Sequence, residues 1–145
     1  MELFSILPIL KRIPLFVDLS EADHKEIIDH ITLHYFPAGY VFFHEGDPDG
    51  SMLILKHGIV KISRKDPVLG NEKEIAVLND NDFFGEMALV LNDKRNATAT
   101  AVADCEVFQL KKEDFMKLME TSPTMANKIS NEFLDRVKKN NKNTL

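Results

Sequence analysis

From Thr32 to Leu110, short runs rich in Val, Ile, Phe and Leu are broken by turn residues. The runs read LHYF, YVFFH, MLILK, IVKIS, EIAVL, ATATAV and EVFQL. The breakers between them read PAG, EGDPDG, HG, KDPVLGN, NDND and ADC. No run is long enough to complete three helical turns. Turn signals that recur roughly every eight to twelve residues predict an antiparallel sandwich or barrel. The expected core of the molecule is therefore mainly β.

The two ends follow a different period. Ser20 is placed to cap a helix with Glu21 and Asp23 in its first turn, running to about Ile31 and burying Ile27, Ile28 and Ile31. Helical spacing returns at Lys111, with Phe115, Leu118 and Met119 on one face. Ser122-Pro123 offers an N-cap and a proline at the first helical position. Met125, Ile129, Phe133 and Val137 then form an apolar stripe, flanked by Ala126 and Leu134. The expected order is an N-terminal helical segment over 1–31, strands over 32–110, two C-terminal helices over 111–140 and a tail over 141–145. All 145 residues make one domain on this reading.

Charge narrows the function. A net charge of −5 argues against a general nucleic-acid binder, which needs a basic surface. The basic residues of RVKKNNKNTL read as a solvated tail. A single cysteine, Cys105, excludes an internal disulfide and fits the cytoplasm. The opening MELFSILPILKR is too short to span a bilayer and carries an acid where a signal peptide needs a base. It is expected to pack as a short helix.

One stretch concentrates unusual chemistry. Residues 84–101 read FGEMALVLNDKRNATATA. Gly85 permits a positive φ or close backbone approach. Glu86, Met87, Ala88 and Leu89 are good helix formers, so a short helix can begin at Gly85, and its unpaired N–H groups would suit an anion. Arg95 adds a planar fork matched to phosphate oxygens. Glu86 fits such a site if the ligand also donates a hydroxyl, as a ribose 2′-OH does. Ala97, Ala99 and Ala101 alternate with Thr98, Thr100 and Val102, and an all-alanine face leaves room beside it. On spacing alone, a plain Glu86–Arg95 ion pair across a loop remains open.

These residues resemble the phosphate-binding cassette of the cyclic-nucleotide-binding domain family, which includes bacterial cAMP receptor proteins, protein kinase A regulatory subunits and cyclic-nucleotide-gated channels. The matching positions are Phe84, Gly85, Glu86, Met87, Ala88, Leu89, Arg95, Ala97, Thr98 and Ala101. Pro14-Leu15-Phe16 before Leu19-Ser20 is similar to the family's first helical segment, and Gly39, Gly46 and Gly58 fall at its barrel turns. The resemblance implies an antiparallel β-jelly roll, a double-stranded β-helix, with flanking helices. It implies that Arg95 holds the exocyclic phosphate and that Glu86 accepts from the ribose 2′-OH. Backbone amides around Gly85, Glu86, Met87, Ala88 and Ala97 would complete the cradle. Ile62 and Ile75 fall where the family places apolar walls for the base. Asn96 stands where the family has Ala, Ser or Thr; lacking that hydroxyl, it leans towards cAMP over cGMP. Asn81 replaces a common turn glycine and tolerates the left-handed conformation.

Other constellations are set aside. Glu45–Gly50 hints at a calcium loop, but the twelfth position counted from Asp47 is Gly58 where a bidentate Glu is required. His30 and His34 have a helical metal spacing, but the helix is expected to end between them. His24, His44 and His57 are isolated, and no His-x-His suggests a jelly-roll metalloenzyme. The expectation is a cytoplasmic sensor without enzymatic activity, metal or cofactor. Its output would be rearrangement of the C-terminal helices onto a protein partner, or a homodimer through the last helix. Because the chain stops at Leu145, no DNA-reading helix-turn-helix is expected, and no other apolar run resembles a membrane segment. The alternatives are an interaction scaffold of the same fold that no longer binds nucleotide and, more remotely, a jelly-roll enzyme.

Overall fold

The computed structural model describes residues 3–13, 16–48, 50–85, 94–124, 126–127 and 130–131, with side chains from Ile6 onward. The described residues form two compact units. One draws on both chain ends, up to Ile31 and from Leu110, and the other spans Thr32–Gln109.

The helical unit contains α1 (Leu3–Leu10), α2 (Glu21–His30) and α3 (Lys112–Thr121). Ser20 caps α2 as expected, its Oγ accepting from the Asp23 N–H at 3.1 Å. Ile27 and Ile28 are buried along α2, and Ile31 follows them into the core. The helix ends at His30, so His34 falls on a strand and the two histidines share no helical face. His24 is also buried, and its Nε2 lies 2.7 Å from the Phe16 carbonyl. A carbonyl only accepts, so this nitrogen carries the proton. Phe16 packs on Phe115 of α3 with ring centroids 6.0 Å apart. The Ser122 hydroxyl donates to Asp23 at 2.9 Å, joining the end of α3 to the start of α2. Helical residues resume at 123–124, 126–127 and 130–131. Met125, Ile129, Phe133 and Val137 lie outside the described residues.

The β unit holds β1 (Thr32–Phe36), β2 (Val41–Phe43), β3 (Met52–His57), β4 (Val60–Lys65), β5 (Glu72–Leu78), β6 (Phe83–Phe84), β7 (Thr98–Ala101) and β8 (Cys105–Leu110). They form two four-stranded antiparallel sheets, ordered β1-β8-β3-β6 and β2-β7-β4-β5. Except for the β4–β5 hairpin, which stays within one sheet, each strand in chain order passes to the opposite sheet, as in the expected jelly roll. The chain is mainly β with flanking helices. Leu53, Leu55, Val60, Ile62, Phe84, Ala97, Ala99, Ala101, Cys105 and Val107 form its core. Burying each large aliphatic contributes about 1.5–3 kcal/mol. β3 is buried at four successive residues, which explains why MLIL reads as an unbroken apolar run. Among the described residues, no helix is long and apolar enough to cross a membrane.

The alanine face meets a different fate from that expected. Ala97, Ala99 and Ala101 are at most 3% exposed and belong to the core. Phe36, Phe42 and Phe43 pack against the same cluster. The three alanines are thus core residues rather than an open face.

The turns hold themselves with aspartates. Asn81 adopts φ 73°, as expected of its turn. Its neighbour Asp82 accepts from the Asn79 N–H through Oδ2 at 2.8 Å. Between β3 and β4, Asp80 accepts from the Gly58 N–H at 2.9 Å and contacts His57 Nδ1 at 3.2 Å. First the Gly58 bond and then the His57 bond hold the Asp80 carboxyl below its usual range. A lowered folded-state pKa stabilises the fold above the unfolded value of about 3.9 and stops doing so as pH falls through the folded value. Asp80→Asn should therefore lower the urea midpoint at pH 7, and the gap from the unsubstituted protein should close as pH falls below about 4. Urea titrations at pH 7 and at acid pH check this; a gap that does not change with pH would remove Asp80 as a titrating turn anchor.

Candidate ligand-binding site

β2 opposes β7, but their register slips. Val41 faces Thr100 and Phe43 faces Ala99, so Phe42 is an extra residue in a bulge. Strict alternation would send Phe42 and Phe43 to opposite faces. With the bulge, both rings pack against the core cluster. Phe84 touches both, at 5.4 Å from Phe42 and 6.1 Å from Phe43 between centroids.

The turn after β2 grips the start of the cassette strand. Asp47 N–H donates to the His44 carbonyl at 3.0 Å, and Asp47 Oδ2 accepts from His44 N–H at 2.9 Å. The Asp47 carboxylate thus accepts from the backbone of its own turn. Gly46 N–H donates to the Arg95 carbonyl at 2.8 Å and Arg95 N–H to the Asp47 carbonyl at 2.7 Å. This reciprocal pair fixes the backbone of Arg95. Next to it, Glu45 N–H donates to Thr98 Oγ1 at 2.8 Å, and Arg64 Nε donates to the Asn96 carbonyl at 2.9 Å.

The side chain of Arg95 is equally constrained. Its guanidinium carbon lies 4.1 Å from the centre of the Phe43 ring. Nη2 donates to the Ser51 carbonyl at 2.9 Å. The Ser51 hydroxyl accepts from Gln109 Nε2 at 2.8 Å. Two glycines edge the fork. A Cβ on Gly85 would stand 2.8 Å from Nη1 and 3.1 Å from the Ser51 carbonyl, and one on Gly50 would stand 3.3 Å from Nη2. Gly85 also has φ +79°, which an L side chain rarely adopts. A half-buried cationic fork beside bare backbone is suited to an anion with paired oxygens.

The fold therefore brings Gly85, Arg95, Asn96 and Ala97 to one region. Asn96 is exposed and Ala97 is buried. Glu86, Met87 and Ala88 lie outside the described residues, and so does the alternative Glu86–Arg95 ion pair. Ile62 is 4% exposed within the core cluster. Ile75 is the extra residue of a bulge, where Ile62 faces Ala76 and Ser63 faces Glu74, and it is 38% exposed. Among the described residues, the cluster around Ile62 takes Ala76 and Leu78 from β5 but not Ile75. Sequence reading missed Phe43, Gly50 and Ser51. Phe43 was legible only as a strand residue, because nothing in YVFFH marks a bulge.

Gly85→Ala should destabilise the ligand-free protein by about 1–3 kcal/mol, since it adds an unfavourable φ and displaces the Arg95 fork. Gly70 has a similar φ of +76° with nothing within 4 Å of a built Cβ. Gly70→Ala should thus cost only the conformational part. Equal urea midpoints for the two variants would show that Gly85 does not press on Arg95.

Comparison with known proteins extends this geometry. The family model for the cyclic nucleotide-binding domain matches residues 33–122, more than half of the chain. The cyclic AMP receptor protein of Thermus thermophilus is 29% identical over 121 residues, covering 83% of this chain and 56% of that protein. The cGMP-dependent protein kinase isozyme 1 of Drosophila melanogaster is 31% identical over 112 residues, covering 76% of this chain and 15% of the kinase. The regulatory domain of Toxoplasma gondii PKA, solved with cAMP, aligns at a TM-score of 0.74 and 29% identity over 79% of this chain and 43% of its own. The chain thus spans between 15% and 56% of the length of these two curated relatives. The two antiparallel sheets and the extent of the match agree: the chain belongs to the cyclic nucleotide-binding domain family.

Proposed function

We propose that this domain binds a 3′,5′-cyclic nucleotide, cAMP in preference to cGMP, as a sensor that performs no catalysis. The observation that carries this reading is the placement of the Arg95 fork against the bare backbone of Gly85. Arg95 takes the exocyclic phosphate, and backbone amides from Gly85 through Ala88 and at Ala97 complete the cradle. Glu86 accepts from the ribose 2′-OH. Ile62 and Ile75 contribute to the wall for the base. Asn96 brings no hydroxyl to a guanine amino group, which favours cAMP. The named relatives support the ligand class without choosing within it, since one is named for cyclic AMP and another for cGMP.

The domain works in the cytoplasm and signals to a protein partner. Nucleotide binding re-seats the C-terminal helices, and that movement is the output.

Calorimetry with cAMP and cGMP tests the site. Losing one partner of a buried charge-assisted pair costs roughly 3–5 kcal/mol. Arg95→Ala should therefore weaken cAMP about 10²–10³-fold or more while the ligand-free protein stays folded. Arg95→Lys should also weaken it strongly, because a point charge does not reproduce the fork. cAMP should bind at least as tightly as cGMP. Unchanged affinity in a folded Arg95→Ala protein would sink the reading of residues 84–101.

Hydrogen exchange tests the output. Cyclic nucleotide should change amide protection over residues 123–138, on the timescale of local opening. Identical exchange with and without cAMP would reduce this segment to packing.

A further inference from the structure

We infer that Phe43 is a positioning residue for the phosphate anchor: its ring holds the plane of the Arg95 guanidinium in the orientation that a phosphate requires. The inference rests on the nucleotide-binding reading above.

Three observations converge on Phe43. The guanidinium carbon lies over its ring, 4.1 Å from the centre, well within reach of a cation–π contact. The β2 bulge at Phe42 lets Phe43 join the core side of the sheet despite its odd place in the alternation. Bulges are common beside functional sites because they re-aim one side chain. Phe84, the residue immediately before Gly85, packs against Phe43 at 6.1 Å. The ring that carries Arg95 is thus itself held by the residue next to the proposed phosphate cradle.

The chemistry explains why an aromatic ring suits this place. An arginine side chain has many rotamers, and ordering it on binding costs affinity. A ring face fixes the plane of the fork in advance. It also attracts the cation through the ring quadrupole rather than through an opposing charge. Ser51 fixes the remaining rotation by accepting from Nη2. A branched aliphatic in place of Phe43 would keep the apolar packing and lose the flat face.

Phe43→Leu and Phe43→Tyr separate these contributions, with Phe42→Leu as the control. Phe42 packs in the same aromatic cluster and is the inserted residue of the bulge. Phe43→Leu should weaken cAMP binding about two- to thirtyfold by calorimetry. Phe43→Tyr should stay within about twofold, since it keeps the ring face. Phe42→Leu should lower the melting temperature at least as much as Phe43→Leu yet leave cAMP affinity within about twofold. In ligand-free protein, NMR should show the Arg95 Hδ and Hε signals shifted upfield by the Phe43 ring, and the shift should vanish in Phe43→Leu. Wild-type affinity in Phe43→Leu, equal losses in the Phe42 and Phe43 variants, or no rescue by Tyr would each overturn the inference and leave the nucleotide reading intact. Absence of any cyclic-nucleotide binding by the unsubstituted protein would overturn both.

Discussion

A half-buried guanidinium must have its charge and its plane held by something, or burying it is costly. In this chain the holders come from separate parts of the sequence. Phe43 supplies a ring face, Ser51 a carbonyl, and Gly85 a gap where a side chain would intrude. Each holder depends on a different element of the barrel. Phe43 depends on the bulge of β2, and Ser51 on the approach to β3. The Arg95 backbone depends on the turn at 44–47. The position of one side chain therefore summarises the register of the β unit. If β2 slipped by one residue against β7, the ring would leave the fork and the turn would lose its two bonds to Arg95.

Much of this was legible in the sequence because local chemistry agreed with the fold. Ser20 capped α2 through the hydroxyl that singled it out. Asn81 took the left-handed turn that its short polar side chain allows. The cassette from Phe84 to Ala101 carried enough fixed residues to identify the family. What stayed hidden depended on long-range pairing. β6 contains only Phe83 and Phe84, too short to show a period. The bulges at Phe42 and Ile75 follow from the partners of β2 and β5, which the runs YVFFH and EIAVL do not reveal. Ala97, Ala99 and Ala101 read as a face with room beside it, and the structure buries all three in the core. His24 looked isolated along the chain and is buried against a carbonyl eight residues earlier.

The free edge of the second sheet shows another constraint. β5 lies at that edge and exposes Ile75 and Val77. Such a strand invites pairing with another chain. Glu72, Lys73 and Glu74 charge its first half, and the bulge at Ile75 breaks its regular pleat. Both features discourage a flat intermolecular ladder. At its hairpin tip, Asp66 accepts from the N–H groups of Val68 and Leu69 at 2.8 and 2.9 Å. The tip is held by its own aspartate although both apolar residues face solvent.

The small side chains of β7 also bear on how this sheet can change over time. Ala99 stands directly opposite Phe43, and Ala97 and Ala101 share its core cluster with Phe36, Phe42 and Phe84. Because Ala99 and Ala101 are almost fully buried, methyl groups added there have to displace neighbours, at a typical cost of about 1–3 kcal/mol. The alanines can enlarge only if a ring elsewhere shrinks. Two stretches far apart in sequence thereby share one core, so that a larger residue on β7 and a smaller one on β2 are expected to offset one another.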